Sequence, residues 1–352
     1  RKESSAASDV YKRQDEIRAM ALNIYMEQSA VRDGVTAEEV KGILLGMASG
    51  QETLLGYFRR FIRNFEKRVG INRTVGSLRA YSNAYSHIER FLQAQYKLSD
   101  IPFSALDRSF IDKYDLYLRT ERNLAPGTII NLTVQLKTIV GEAIADGIIT
   151  ASPFMGYEPV RPKHVQKYLT AEELHRIMTT PLHRQTLYHV RDMFLFSCFT
   201  GIPYGDMRLL TKDNLCLAED GIWWIKSARQ KTKIEFEIPL LDLPLQILKK
   251  YSGTAPGDKL LPMYCNSTLN LYLKEIARIC HIDRPLVFHA GRHTYATEIT
   301  LSHGVPLETV SRMLGHSQIE TTQIYAKVTD EKIDADTKAL NRKISERFSV
   351  VI

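Results

Sequence analysis

In the stretch LGHSQIETTQIYAKV, Leu314 to Val328, one tyrosine, Tyr325, follows a histidine, His316, by nine positions. A little upstream, FHAGRHTYATEI gathers His289, Arg292 and His293. On a helix the i,i+3 and i,i+4 spacings put these three on one face. Two chemistries use such a set. His289-x-x-x-His293 has zinc-ligand spacing, but Ala290 stands where a metalloprotease carries its glutamate, and no carboxylate cluster follows. A phosphate site fits better, because a guanidinium fork binds two phosphate oxygens and a histidine donates to a third. His316 supplies a second imidazole, and Tyr325 an oxygen able to attack phosphorus. A tyrosine ordinarily ionises near pH ~10, so it must lose its proton during attack, and clustered positive charge assists that. Such a reaction requires no metal. Taken singly, each residue reads more readily as a satisfied histidine or a core tyrosine; the argument rests on their company.

The elements that must position these groups are legible in the punctuation. Gly304 and Gly315 read as helix C-caps and Pro306 as a first-turn residue, and Ser317 with Glu320 forms a capping-box pattern. Tyr325 is therefore expected on a short helix, two turns from its start. DMFLFSCFTGI predicts a buried helix ended by Gly201, and Thr170 with Glu173 a capping box that opens the helix at the start of this half. GIWWIKSARQKTKIEFEIP switches to a period of two, with Ile234, Phe236 and Ile238 alternating with Glu235 and Glu237, which predicts a hairpin with a basic tip.

Upstream, ETLLGYFRRFIRNFEKRV, SLRAYSNAYSHIERFLQAQY, SFIDKYDLYLRTE and APGTIINLTVQLKTIVGEAIADGII predict four amphipathic helices with Phe61, Phe65, Tyr85, Phe91, Leu116 and Ile139 as a shared core. Their outer faces carry Arg, Lys, Tyr, Asn and Thr, side chains that touch phosphates. Prolines and a glycine between Ala151 and Pro162, followed by Lys163, His164 and Lys167, mark a linker. Before all this, Thr36 and Glu39 offer one more capping box. The chain opens RKESSAASDVYKRQ on Arg1 rather than methionine, is expected to be a fragment, and its first fourteen residues are set aside from fold reasoning.

The bulk numbers bound the rest. A chain of 352 residues accommodates about two domains of roughly 100–200 residues. The 47 Lys and Arg against 40 Asp and Glu give +7, with a pI near 9.1, compatible with a polyanionic partner. No stretch approaches the ~18–20 apolar residues of a membrane span, and no signal peptide pattern opens the chain, so a soluble cytoplasmic protein is expected. Cys198, Cys216, Cys265 and Cys280 form no C-x-x-C pair, which suggests neither a disulfide framework nor a zinc knuckle.

HAGRHTYAT, LGHSQIETTQIYAKV and the RQKTK tip together resemble the signatures of the tyrosine recombinases, or phage integrases, with the flavour of conjugative-transposon and other mobile-element integrases. The resemblance covers roughly residues 52–330. It implies Tyr325 as the nucleophile that forms a 3′-phosphotyrosine and frees a 5′-hydroxyl, and Arg292 as a clamp on the non-bridging oxygens. It implies His289 and His316 as phosphate hydrogen-bond partners, with His289 or a neighbour helping to accept the tyrosine proton, and Lys231 as the acid that protonates the leaving oxygen. Asp206 falls where the family has a supporting acid. The family's first arginine, written T-G-x-R, is replaced: Thr200-Gly201-Ile202-Pro203 puts Pro203 in its place. Proline offers no donor, and losing one clamp costs on the order of 3 kcal/mol of transition-state stabilisation. Arg229 is the expected substitute, two residues before Lys231 and so on the same face of an extended strand. Arg208 is the alternative, displaced by more than a turn if Pro203 starts a helix.

The fold class this implies is mostly α: a helical SAM-like core-binding domain and a mainly helical catalytic domain with a small antiparallel sheet. The expected organisation is a remnant of an arm-binding region over 1–51, a DNA-binding helical domain over 52–150, a linker over 151–167, a catalytic domain over 168–335 and a tail over 336–352, read alone as a frayed or self-docked end and, by the resemblance, as one whose apolar end packs on a neighbour. Expected partners are double-stranded DNA attachment sites, three further copies in a homo-tetramer, and accessory DNA-bending or directionality proteins; neither metal, nucleotide nor other cofactor is expected. A type IB topoisomerase-like enzyme and a non-catalytic DNA-binding regulator are the alternatives, Pro203 being the feature that favours the second.

Overall fold

The computed structural model describes residues 52–162 and 167–325 continuously, with isolated positions within 18–40 and 334–344. It divides into two compact units, Arg1–His164 and Val165–Ile352. The capping box at Thr36, the linker residues Lys163 and His164, and the apolar end of the tail lie outside the described residues.

In the first unit four α-helices form where the amphipathic stretches predict them. Helix α1 (Leu54–Glu66) is opened by a distant acid: Asp100 accepts from the backbone N–H groups of Leu55 at 2.8 Å and Gly56 at 3.0 Å, placing negative charge at the positive end of the helix. Thr74 caps α2 (Val75–Phe91) by accepting from the Ser77 N–H, and Asp107 caps α3 (Arg108–Thr120) by accepting from the Phe110 N–H. Pro126 occupies the first turn of α4 (Pro126–Ala145), where its missing N–H costs nothing. Phe58, Phe91, Tyr114, Leu118 and Ile139 are fully buried between them. Phe65 joins this buried set, while Phe61 and Tyr85 are half-buried against it. Leu116 is corrected: at 58% exposure it faces solvent, because Tyr114, Tyr117 and Leu118 take the inward positions of α3.

The second unit is built around α6 (Gln185–Thr200), which follows α5 (Ala171–Thr179) and its formed capping box between Thr170 and Glu173. Buried residues ring α6 on every side, including Val190, Met193, Phe194, Leu195, Phe196 and Cys198, the mark of a helix that other elements enclose. It stops at Gly201, φ +70°. Pro203 then caps a single turn, α7 (Tyr204–Met207). Three antiparallel strands follow in the order β1 (Leu215–Leu217), β2 (Trp223–Ala228) and β3 (Glu235–Pro239), with Ile225 opposite Ile238 and Lys226 opposite Glu237. The hairpin is β2–β3; the short β1 has no period-two signal of its own. Helices α8 (Asp242–Lys250) and α9 (Asn266–Ile279) pack on α6. Helix α10 (Ala290–Thr294) widens into a π-helical turn over Tyr295–Thr300, and α11 (Leu307–Leu314) ends at Gly315, φ +64°.

Two local expectations fail. Ser317 caps nothing: the last helix, α12, spans only Glu320–Gln323 with Ile319 at its N-cap, so Tyr325 lies in the turn beyond it. Arg229 and Lys231 are not on a strand. β2 ends at Ala228, and the Lys233 N–H to Arg229 carbonyl bond closes a turn there, so period-two reasoning does not reach them.

Gly201 is the tightest constraint. A Cβ there would sit 2.5 Å from Tyr295 Cδ1 and 2.8 Å from Leu314 Cδ2, in a left-handed conformation that disfavours any side chain. Both tryptophans lie on β2, so their fluorescence reports on this unit. Gly201→Ala is expected to lower the urea midpoint of that signal by the equivalent of roughly 2–4 kcal/mol, combining the φ penalty with overpacking; an unchanged midpoint contradicts the close packing.

Candidate active site

Phe288 begins the construction. Its N–H donates to Asn270 Oδ1 on α9 at 2.7 Å and its ring is buried, which fixes where α10 starts. Gly291 then lets α10 lie against α6, since a Cβ there would meet Ser197 Oγ at 2.9 Å and Cys198 N at 3.3 Å. Arg292, one residue on, is thereby delivered into the interior with 3% exposure. Its Nη1 donates to the Gly201 carbonyl at 2.9 Å, and its Nη2 to the Leu314 carbonyl at 2.7 Å and to His316 Nε2 at 2.8 Å. Tyr325 also lies within electrostatic reach of it. Burial and the neighbouring Arg229 lower its pKa to about 10, opposed by Tyr325, so it stays cationic at neutral pH.

An arginine only donates, so His316 Nε2 accepts. His316 Nδ1 lies 2.7 Å from Thr322 Oγ1 and must carry the ring's proton. Burial, then Arg292 and Arg229, hold His316 down to about 4, consistent with this neutral tautomer. The ring therefore orients Arg292 and presents no N–H to the cavity. The left-handed turn at Gly315 is what brings His316 back over α11 to do so.

Arg229 reaches the same place from the hairpin. Its Nη1 donates to the Leu314 carbonyl at 3.4 Å, so both guanidinium groups converge on one oxygen. Its Nε sits 2.8 Å from the buried carboxylate of Asp206, a charge pair without hydrogen-bond alignment. The other Asp206 oxygen accepts from the Gln230 N–H at 2.8 Å, so Asp206 on α7 anchors the start of the hairpin tip. Gly315 is needed here again, because a Cβ on it would lie 2.9 Å from Arg229 Cγ. Arg208 is the exposed C-cap of α7 and does not line the cavity.

The cavity has a volume of about 790 Å³, and Arg229, Lys231, His289, Arg292, His316 and Tyr325 all line it. Pro203 does not; it lines a separate, smaller hollow with Tyr204 and Asn266. Lys231 is exposed in the hairpin turn and Tyr325 only 6% exposed. The Tyr325 ring lies parallel to His316, 8° between planes at 6.3 Å, and edge-on to His293 at 5.1 Å. His289 is open to the cavity; the surrounding protein, then Arg292, Arg229 and Lys167, lower its pKa. Lys167, read as a linker lysine, and Arg284, which carried no signal, also line the cavity, as does His293, which the i,i+4 spacing puts on the face of His289 and Arg292.

None of the lining residues is acidic, while Lys167, Arg229, Lys231, Arg284 and Arg292 are cationic, an arrangement suited to one or more phosphates. Among the described residues no group of three or more His, Cys, Asp or Glu is placed to hold a metal ion. Nor is any described helix long and apolar enough to cross a membrane.

His293, like His316, is held to about 4, by burial and then by His289, Lys167 and Arg292. Both lie below the ordinary ~6.5 of an unfolded histidine, so between those values the unfolded chain binds more protons and stability rises with pH. The stability is present above pH ~6.5 and is lost as pH falls towards 4. The melting temperature of the tryptophan signal is expected to fall from pH 7 to pH 4.5, and His316→Gln to make that fall shallower.

Comparison with known proteins completes the picture. Residues 167–332 match the model of the phage integrase family, and residues 53–159 that of the phage integrase SAM-like domain. The chain is 25% identical over 273 residues to the tyrosine recombinase XerD of Listeria monocytogenes, covering 73% of this chain and 89% of that protein. It is 26% identical over 297 residues to XerD of Staphylococcus saprophyticus, covering 80% and 96%. Among solved structures it is similar in fold to the Tn1549 transposon integrase in complex with transposon right end DNA, at a TM-score of 0.64, 18% identity and coverage of 82% and 100%. It is also similar to a lambda integrase tetramer bound to a Holliday junction, at 0.66, 16% identity and coverage of 88% and 87%. With both units matched in order and the cationic cavity built from the second, the chain belongs to the phage integrase family: it is a tyrosine recombinase, an enzyme that cuts and rejoins DNA.

Proposed function

We propose that this chain is a site-specific DNA recombinase that integrates or excises a mobile element, with Tyr325 as its nucleophile. The observation that carries the residue assignment is the convergence of Arg229 and Arg292 on the Leu314 carbonyl, in the cavity that Tyr325 also lines. Two guanidinium groups so placed give a scissile phosphate the pair of clamps that Pro203 withholds. Asp206 holds Arg229 in position. Tyr325 Oη attacks phosphorus, its proton passing to His289 or to water; the bond from phosphorus to the 5′-oxygen breaks, and Lys231 protonates that oxygen. The product is a 3′-phosphotyrosine and a free 5′-hydroxyl. The ester keeps the bond energy, so rejoining by a 5′-hydroxyl of another strand needs no ATP. An arriving phosphodiester anion raises the pKa of His316 and turns Nε2 from acceptor to donor.

Around this step we read residues 52–150 as the domain that grips duplex DNA, 151–167 as a linker, 168–335 as the catalytic domain and 336–352 as a tail exchanged with a neighbour. The solved lambda integrase forms a tetramer on a Holliday junction; by analogy four copies act here on two attachment sites in the cytoplasm, with DNA-bending or directionality proteins choosing the outcome. The regulator reading rests on Pro203, and the presence of Arg229 in the cavity supports catalysis over it.

Incubation with a pool of nicked duplexes in EDTA, followed by a denaturing gel, should reveal protein shifted by covalently attached DNA. Tyr325→Phe should give none; an adduct in that variant would refute the nucleophile. Arg229→Ala should reduce adduct formation by on the order of 10²–10³, as Arg292→Ala does, and Arg208→Ala should not; full activity in Arg229→Ala would remove it from the site.

A further inference from the structure

His293 holds no phosphate in the scheme above, yet it lies between two residues that do the work. Its imidazole meets His289 edge-on, with ring centroids 4.8 Å apart at 84°, and meets Tyr325 at 5.1 Å and 65°. It stands on α10, one residue after Arg292. On its other side the phenol faces His316 in parallel. Tyr325 thus has one imidazole wall across its plane and another along it.

The backbone around Tyr325 gives it little direction. It sits in a turn past a four-residue helix, and its N–H bond to the Thr322 carbonyl, 3.0 Å, is the backbone tie described there. The aim of its hydroxyl depends on what its ring touches. Edge-on contacts between aromatic rings have a preferred geometry and resist rotation in a way that aliphatic contacts do not.

We propose that His293 is a positioning residue, whose ring edge aims the Tyr325 phenol at the phosphate held by Arg292 and which exchanges no proton in the reaction. The proposal rests on Tyr325 being the nucleophile. Two observations support it. Burial, then His289, Lys167 and Arg292, disfavour charge on His293; a ring that resists a proton so strongly is poorly matched to take one from a phenol. The i,i+4 placement after His289 packs His293 against a second site residue, so its ring is held on two sides.

The test is single-turnover adduct formation on the nicked duplexes recovered by trapping, with the dissociation constant for the same DNA measured in parallel. His293→Ala should slow adduct formation by on the order of 10²-fold, the cost of a misplacement of about 1 Å, with DNA affinity unchanged. His293→Phe, which restores a ring edge but cannot carry a proton, should recover most of that rate. If His293→Phe is as slow as His293→Ala, the side chain exchanges a proton and the proposal fails. A wild-type rate in His293→Ala, or a loss matched by an equal loss of DNA affinity, also overturns it. Should His293→Ala not fold, His293→Phe is set against His293→Gln, which keeps polarity without a ring: a faster Phe variant supports positioning and a faster Gln variant refutes it. Tyr325→Phe runs alongside, and an adduct in that control would bring down the nucleophile assignment rather than the role of His293.

Discussion

A buried arginine without a carboxylate partner is the constraint around which the second unit is organised. A cation taken out of water is costly unless something replaces its hydration. For Arg292 the replacements are two backbone carbonyls and an imidazole nitrogen. The carbonyls come from the ends of α6 and α11, where unpaired C=O groups carry the negative end of each helix dipole. Dipoles hold the guanidinium in place without cancelling its charge. An aspartate in the same position would hold it more tightly and leave less attraction for a phosphate. Arg229 is solved differently, by a buried acid, and the acid's second oxygen is occupied by the backbone at Gln230.

That constraint explains why glycines sit where they do. Both carbonyls that serve Arg292 stand next to a left-handed glycine, because each helix has to stop at that point and turn away. Gly291 has a separate duty, allowing α10 to touch α6 closely enough for the next side chain to reach the helix end. The chemistry is thus specified by packing between helices that are distant in the chain, with the motif residues as its visible tip.

Much of this was readable from the sequence, and the unreadable part has a physical pattern. Helix stops at Gly201, Gly304 and Gly315, the capping box at Thr170 and the alternation of Phe236 and Ile238 are local events, decided within a few residues, and the structure has each of them. Leu116 was misread because Tyr114, Tyr117 and Leu118 fill the inward face of α3. The Ser317 box looked right by spacing, but the His316 Nδ1–H donates to Thr322 Oγ1 and the chain begins its last helix later. Arg229 was picked out by strand periodicity and does line the cavity, though the strand has already ended; the turn, rather than the pleat, puts it there. Lys167 gave no signal beyond that of a linker lysine, and the spacing that sets His293 beside His289 and Arg292 could not show its contact with Tyr325, which joins two separate segments.

The methylenes of Arg229 occupy the space a side chain at 315 would need, with Cγ 2.9 Å and Cδ 3.4 Å from the position of its Cβ. The two positions are therefore epistatic. Any side chain at 315 would press on the methylenes that carry the hairpin's guanidinium, so a change at either position is felt at the other.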